Sequence, residues 1–313
     1  MTSALKSLHV KNVTSDSDYV GRFAPSPSGQ MHFGSLVTAL GSFLQAKSQN
    51  GKWLLRIEDI DPPREVAGAS ESIMRCLEAH HLFWDHEVVY QSHRGYLYTE
   101  KIQYLTDQGL TYHCQCSRAQ LASLKFDQVC VCANQDLNNE NSAIRFRHHN
   151  IHQQFFDELL GQVNFPKLDI PAQFAIKRKD NLFAYQLAVV VDDIQQGITE
   201  VARGADLLDA TLFQLALYQA FDRPAPKFLH FPVVVTGPGK KLSKQNHACE
   251  INSNDARTNL TNALEFLGFI LPKELQRGSA QNILNWALCE WDLRKIPAKT
   301  ECIDNRIGHK DSI

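Results

Sequence analysis

Four cysteines fall within 19 positions: Cys114 and Cys116 as Cys-Gln-Cys, thirteen other residues, then Cys130 and Cys132 as Cys-Val-Cys. Two close thiol pairs joined by a loop can close a tetrahedral Zn²⁺ site; reduced, metal-free cysteines are the plainer alternative. A second concentration of chemistry is GPGKKLSKQ, residues 237–245, where two glycines loosen a loop carrying Lys240, Lys241 and Lys244. Such a loop can close over a triphosphate and neutralise charge as pyrophosphate leaves, although a lone lysine-rich loop is usually a solvated turn. The third is GRFAPSPSGQMHFGSL, residues 21–36, in which prolines end a strand, Gly29 permits a tight turn and a helix begins near His32. Backbone N–H groups and the positive end of the helix dipole then face a crevice suited to a phosphate, with His32 as a further donor. A plain strand–loop–helix connection is the bland reading of this stretch by itself. Neither lysine nor glycine spacing matches G-x-x-x-x-G-K-[ST] or G-x-G-x-x-G, and H-E-x-x-H and G-x-S-x-G do not occur.

These residues need elements to hold them. Residues 19–24, YVGRFA, read as a short buried strand, and Leu36, Leu40, Phe43 and Leu44 recur at helical spacing. KWLLRIEDID is a second strand, and a helix follows the prolines of PPREVAGASESIMRCLEAHHL. Strand, helix and strand in that order begin a parallel α/β unit. Residues 90–149 hold a helix, the cysteine cluster and the polar tract ANQDLNNENS, and read as an insertion. The continuous apolar run from Leu187 to Val191 predicts a strand covered on both faces. Asp192 and Asp193 would then follow that strand, to serve a ribose or to hold the fold. DLLDATLFQLALYQAF predicts an amphipathic helix and KFLHFPVVVTGPGKKLSK a last strand running into the lysine loop. The chain beyond Asn254 is helical in pattern, and the tail after Ile296 is expected to be disordered. The organisation expected is a polar extension over 1–18, a catalytic domain over 19–253 with 90–149 inserted, and a helical C-terminal part over 254–313.

With 313 residues, 43% hydrophobic and 21% charged, and a net charge of −2, the chain has the composition of an ordinary globular protein. Any nucleic-acid binding must therefore depend on local patches rather than on overall charge. No run of about 18 apolar residues predicts a membrane span. The first residues lack the apolar core of a secretory signal, and a cytoplasmic location is expected.

Taken together, the motifs carry a family resemblance. PSPSGQMHFGS resembles the His-Ile-Gly-His motif of class I aminoacyl-tRNA synthetases, and KLSKQ their Lys-Met-Ser-Lys-Ser loop, with Gln245 in place of the last serine. GRFAPSPSG, LLRIEDIDPPR, AYQLAVVVDDIQQGITEVARGADLL and FPVVVTGPGKKLSK are similar to the glutamyl branch. The resemblance runs from about residue 19 to 248 and weakly on to 293. By length and by the cysteine insertion it is nearest the glutamyl-queuosine tRNA(Asp) synthetase family, glutamyl-tRNA synthetase paralogues without the anticodon-binding part. The stretch after Asn254 offers no room for such a part. The fold implied is α/β: a Rossmann-like parallel sheet of a class I synthetase with a zinc-containing insertion and a small helical C-terminal part.

The resemblance also implies roles. Arg22, Phe23, Ala24, Pro25, Ser26, Glu58, Tyr185 and Arg203 would form the glutamate pocket. Arg22 and Arg203 would take substrate carboxylates, and Glu58 and the Tyr185 hydroxyl the α-ammonium. A dicarboxylic amino acid needs at least two cations and one anion, and this set supplies them. The bland reading pairs Arg22 and Glu58 as structural charges at strand ends. His32, Gly34, Ser35, Lys241, Ser243 and Lys244 would bind ATP with its Mg²⁺, with His32, Lys241 and Lys244 catalytic. In the cluster, Phe126 stands where the family has a tyrosine ligand, and Cys132 supplies a replacement thiolate, giving one structural all-cysteine zinc site. The reaction implied is activation of L-glutamate to its adenylate, then transfer to queuosine at the wobble position of tRNA(Asp). The enzyme is expected to be a monomer with no membrane partner. Two alternatives stand beside it: a short glutamyl-tRNA synthetase charging the tRNA 3′ end, and a non-catalytic paralogue that binds glutamate or RNA.

Overall fold

The computed structural model describes residues 18–124, 128–135, 137, 141–148, 153–166, 173–237 and 250–304. Lys240, Lys241, Ser243, Lys244, Gln245 and Phe126 lie outside the described residues.

Strand β1 (Val20–Phe23) is buried along most of its length and ends where Pro25 and Pro27 withdraw the backbone donors a ladder needs. Gly29 holds φ at 128°, a conformation that a side chain would resist, and the chain reverses there. Helix α1 (Phe33–Ser48) then starts at His32, whose Nδ1 accepts the Ser35 amide at 3.3 Å as an N-cap. Leu36, Leu40 and Leu44 lie fully buried along it. Gly41 permits close approach to the sheet, since a Cβ there would stand 2.8 Å from the Phe231 ring. Strand β2 (Lys52–Ile57) returns parallel to β1, with Arg22 opposite Leu54, completing the α/β unit. Phe23 stacks on Trp53 and Phe43 meets the same indole edge-on, sealing helix against sheet.

Beyond it come α2 (Ala69–Ala79), β3 (Val89–Tyr90), α3 (Gly95–Asp107), β4 (Thr111–Cys114), α4 (Arg118–Ala122), β5 (Ala143–Arg147), the hairpin β6 (Gln154–Asp157) and β7 (Gly161–Asn164), and β8 (Gln173–Lys177). β4, β5 and β8 form a separate antiparallel sheet, and the cysteine cluster hangs from the end of β4. Helix α5 (Tyr185–Gln195), β9 (Glu200–Gly204), α6 (Ala210–Ala220), β10 (Lys227–Phe231) and β11 (Val233–Val235) rebuild the α/β pattern. β9 and β10 are parallel, and β9 lies beside β1, where the Thr199 amide donates to the Val20 carbonyl at 2.9 Å. Helices α7 (Ala256–Phe266) and α8 (Ala280–Glu290) pack Leu260, Leu264, Ile283 and Leu284 into the same core as α1. Each such side chain contributes roughly 1.5–3 kcal/mol by leaving water. Among the described residues, no helix is long and apolar enough to cross a membrane.

Two expectations are corrected. The run Leu187–Val191 is the buried middle of α5, not a strand; the strand is Glu200–Gly204. A short, continuously apolar, valine-rich run has no periodicity to separate a strand from a helix buried all round. The tail after Ile296 is not wholly irregular, because β12 (Glu301–Ile303) pairs in parallel with β11.

Candidate active site

The ends of β1, β2 and α5 converge on a cavity of about 280 Å³ bordered by Ser26, Glu58, Gln91, Arg178 and Tyr185, with Asp61, Arg64 and Glu65 also in its lining. β1 delivers Arg22 and the loop to Ser26, and β2 delivers Arg56 and Glu58. Helix α5 opens with Tyr185 at the cavity, so its positive end favours an anionic group there.

Behind the lining lies a network of buried charges. Arg22 presents Nε and Nη2 to the two Asp193 oxygens at 3.1 and 3.4 Å. Arg56 Nη1 reaches Asp193 at 2.8 Å, and its Nη2 reaches Glu58 Oε1 at 3.4 Å. Asp192 accepts from Gln91 at 2.7 Å, Arg94 at 2.6 Å and Tyr98 at 2.9 Å. Arg22, Arg56 and Arg94 thus balance Glu58, Asp192 and Asp193. Burial alone would raise Asp193, but Arg22 and Arg56 overcome it and hold that carboxyl below the usual range. Glu58 goes the other way. Burial pushes it up to about 7 against the pull of Arg56 and Arg22, with Asp193 and Asp192 adding to the rise.

Arg203, on β9, makes no direct ion pair among the described residues, and buried Asp157 stands behind its His230 partner. Arg203 is buried, and it donates to His230 Nε2 (3.0 Å), Gln214 Oε1 (2.9 Å), Thr211 Oγ1 (2.8 Å) and the Leu207 carbonyl (3.2 Å), all neutral acceptors. His230 is held for this by Asp157, whose Oδ2 accepts a hydrogen bond from the Nδ1–H at 2.7 Å. Burial lowers His230, which keeps its Nε2 an acceptor. Arg203 also lies against Tyr185, whose hydroxyl is raised by burial first and lowered in part by Arg203. A buried guanidinium whose direct partners are all uncharged can take a carboxylate.

The structure brings Arg22, Ser26, Glu58, Tyr185 and Arg203 to one place, with Phe23, Ala24 and Pro25 in the connecting strand end. It does not pair Arg22 with Glu58: Arg22 goes to Asp193 and Glu58 to Arg56. Arg56, Gln91, Arg94 and His230 escaped sequence reasoning. Asp192 and Asp193 hold the arginines, a role hidden while their segment was read as a strand.

His32, Gly34 and Ser35 sit at the start of α1. Because the His32 Nδ1 accepts, the neutral ring carries its proton on Nε2. The described chain leaves β11 at Gly237 and resumes at Glu250, which forms an antiparallel bridge with His32; the Ile251 amide donates to the Met31 carbonyl at 2.9 Å. The residue that closes the lysine segment is therefore seated on the helix start.

Cys114, Cys116, Cys130 and Cys132 place their Sγ atoms within 4.8 Å of one another, with two separations of 3.5 Å. Tetrahedral thiolates at a metal–sulfur length near 2.3 Å stand ~3.8 Å apart, so this donor set fits such an ion. Burial, and behind it the neighbouring thiols, push Cys116 up to about 12, so a cation is what makes four thiolates tolerable together.

The model for the catalytic domain of class I tRNA synthetases (E and Q) matches residues 19–287. A Vibrio vulnificus protein named glutamyl-Q tRNA(Asp) synthetase is 47% identical over 283 residues, spanning 90% of this chain and 93% of its own. One of the same name from Photobacterium profundum is 46% identical over 301 residues, spanning 96% and 97%. The crystal structure of glutamate-tRNA synthetase from Elizabethkingia anophelis superposes with a TM-score of 0.75 at 22% identity, covering 91% of this chain and 68% of that one. This last likeness carries the fold.

Proposed function

Since the chain belongs to the glutamyl-Q tRNA(Asp) synthetases, within the class I tRNA synthetases (E and Q), we propose that it activates glutamate with ATP and transfers the glutamyl group to queuosine at the wobble position of tRNA(Asp). The observation that carries the reading is the cavity lined by buried Glu58 and by Tyr185, with buried Arg203 against Tyr185 behind it. The direct partners of Arg203 are all uncharged, which suits a carboxylate, and Glu58 borders the cavity to take an ammonium; glutamate carries both groups.

Glutamate enters with its ammonium on Glu58 and Tyr185, and its carboxylates toward Arg203, the Arg22 Nη1 and the positive end of α5. One α-carboxylate oxygen attacks the α-phosphorus of ATP, and the bond to the β,γ-pyrophosphate breaks. His32, donating from Nε2, and Lys241 and Lys244 stabilise the phosphates; Gly34, Ser35 and Ser243 complete the nucleotide site. Mg²⁺ accompanies the ATP as a charge-neutralising ion. No protein nucleophile is needed, because positioning and preorganised charge lower the barrier. In the second step a hydroxyl of the queuosine cyclopentenediol attacks the acyl carbon as its proton passes to the departing phosphate, and AMP leaves with the electron pair of the broken C–O bond. Zinc is the ion assigned to the four cysteines, in a structural role, since all four positions of a tetrahedron are taken by thiolates. The protein is taken to work as a monomer in the cytoplasm.

Labelled glutamate, ATP and three RNAs test this: queuosine-containing tRNA(Asp), queuosine-free tRNA(Asp) and tRNA(Glu). Label on the first RNA alone is the expected result. Label on the 3′ end of tRNA(Glu), or equal labelling of both forms of tRNA(Asp), would overturn it.

A further inference from the structure

The cavity lining holds more acceptors than glutamate needs. Asp61 is spoken for, since Arg64 pairs with it and Arg178 Nη1 reaches it at 3.2 Å, while Arg178 Nη2 goes to Asp180 at 2.5 Å. Glu65, exposed at the rim of the same cavity, makes no side-chain hydrogen bond or ion pair among the described residues. Its carboxyl is raised, by its partial burial first and then by Asp59 and Asp61, so the rim carries uncompensated negative potential. Independently, Gln91 is fully buried in the lining with its Nε2 fixed on Asp192 at 2.7 Å, and its Oε1 has no donor among the described residues. An unpaired carboxylate at the rim and an unpaired amide oxygen below it call for a ligand that brings a cation and a hydroxyl.

The acceptor in the proposed reaction has both. The queuosine arm carries a secondary amine, protonated at neutral pH, on the ring carbon next to a hydroxyl-bearing carbon. We propose that Glu65 receives this protonated amine and that Gln91 Oε1 accepts from a diol hydroxyl, so that the arm enters the cavity facing the glutamyl group. The assignment rests on the queuosine reading above and adds the residues that recognise the acceptor. It also gives the two carboxylates separate cations: buried Glu58 takes the ammonium of glutamate, and Glu65 at the mouth takes the amine of the RNA. Guanosine at the wobble position has no such amine, so Glu65 contributes to the choice between the two RNAs.

The test uses the full chain and two anticodon stem-loop RNAs, identical except for queuosine or guanosine at the wobble position. The wild type binds the queuosine form more tightly. In Glu65→Gln that preference falls about tenfold, the size of one lost charge-assisted contact, while affinity for the guanosine form stays within about twofold and so reports an intact fold. Glu65→Asp recovers part of the preference. A preference that survives Glu65→Gln unchanged overturns the assignment alone, as does an equal loss of affinity for both RNAs. A wild type with no preference overturns the queuosine reading, and the assignment with it.

Discussion

The raised carboxyl of Glu58 makes glutamate binding depend on pH in a defined direction. The free enzyme holds Glu58 at about 7, above the ordinary 4.5, because burial outweighs the pull of Arg56 and Arg22. An ammonium ion pairs with the carboxylate and not with the acid, so below that pKa binding must first release a proton. At pH 6 roughly one enzyme in ten is ready, and at pH 8 about nine in ten, so the glutamate Kd should be about tenfold weaker at pH 6. Glutamate itself keeps both carboxylates and its ammonium ionised across this range. Calorimetry at pH 6 in two buffers of different ionisation enthalpy should also detect the release of nearly one proton per glutamate bound. Glu58→Gln should bind glutamate weakly at every pH, with the slope gone. A wild-type Kd equal at pH 6 and 8 within about twofold, or a slope that persists in Glu58→Gln, would refute the reasoning. The same shift has a sign for stability. Between 4.5 and about 7 the folded enzyme keeps a proton that the unfolded chain has lost, so without glutamate its stability falls as pH rises through that window.

Two further outcomes follow from the geometry. Arg203→Lys keeps the charge but cannot reach His230, Gln214, Thr211 and the Leu207 carbonyl together, so the KM for glutamate in pyrophosphate exchange should rise about tenfold or more, with kcat less affected. Cys130→Ser should take bound zinc from about one equivalent to nearly none after gel filtration, and lower the Tm, since the cluster ties β4 to the loop that follows it.

The parts that were legible in the sequence are those whose chemistry is local. Prolines after β1, Gly29 at φ 128° and a histidine N-cap are all decided within a few residues, so the opening turn can be read from its letters. The cysteine spacing is likewise local, and the four sulfurs do meet. Amphipathic helices such as α3 and α7 announce themselves by periodicity, because each has one face in water, whereas α6 is buried nearly all round and only Gln219 on it is exposed.

What stayed hidden was decided by partners distant in sequence. Arg56 sits in the apolar-flanked strand KWLLRI, and nothing near it says that it is fully buried on Asp193 and Glu58. Reading α5 as a strand concealed the reason. On a strand, neighbouring residues such as Asp192 and Asp193 point to opposite faces; on a helix they are about 100° apart and can address one buried centre from two directions. Asp193 serves Arg22 and Arg56, while Asp192 serves Gln91, Arg94 and Tyr98. The helical assignment and the charge network are therefore one fact: the helix delivers both carboxylates to the buried network behind the cavity lining. That network in turn fixes the arginines whose field, set against burial, leaves Glu58 poised near neutrality.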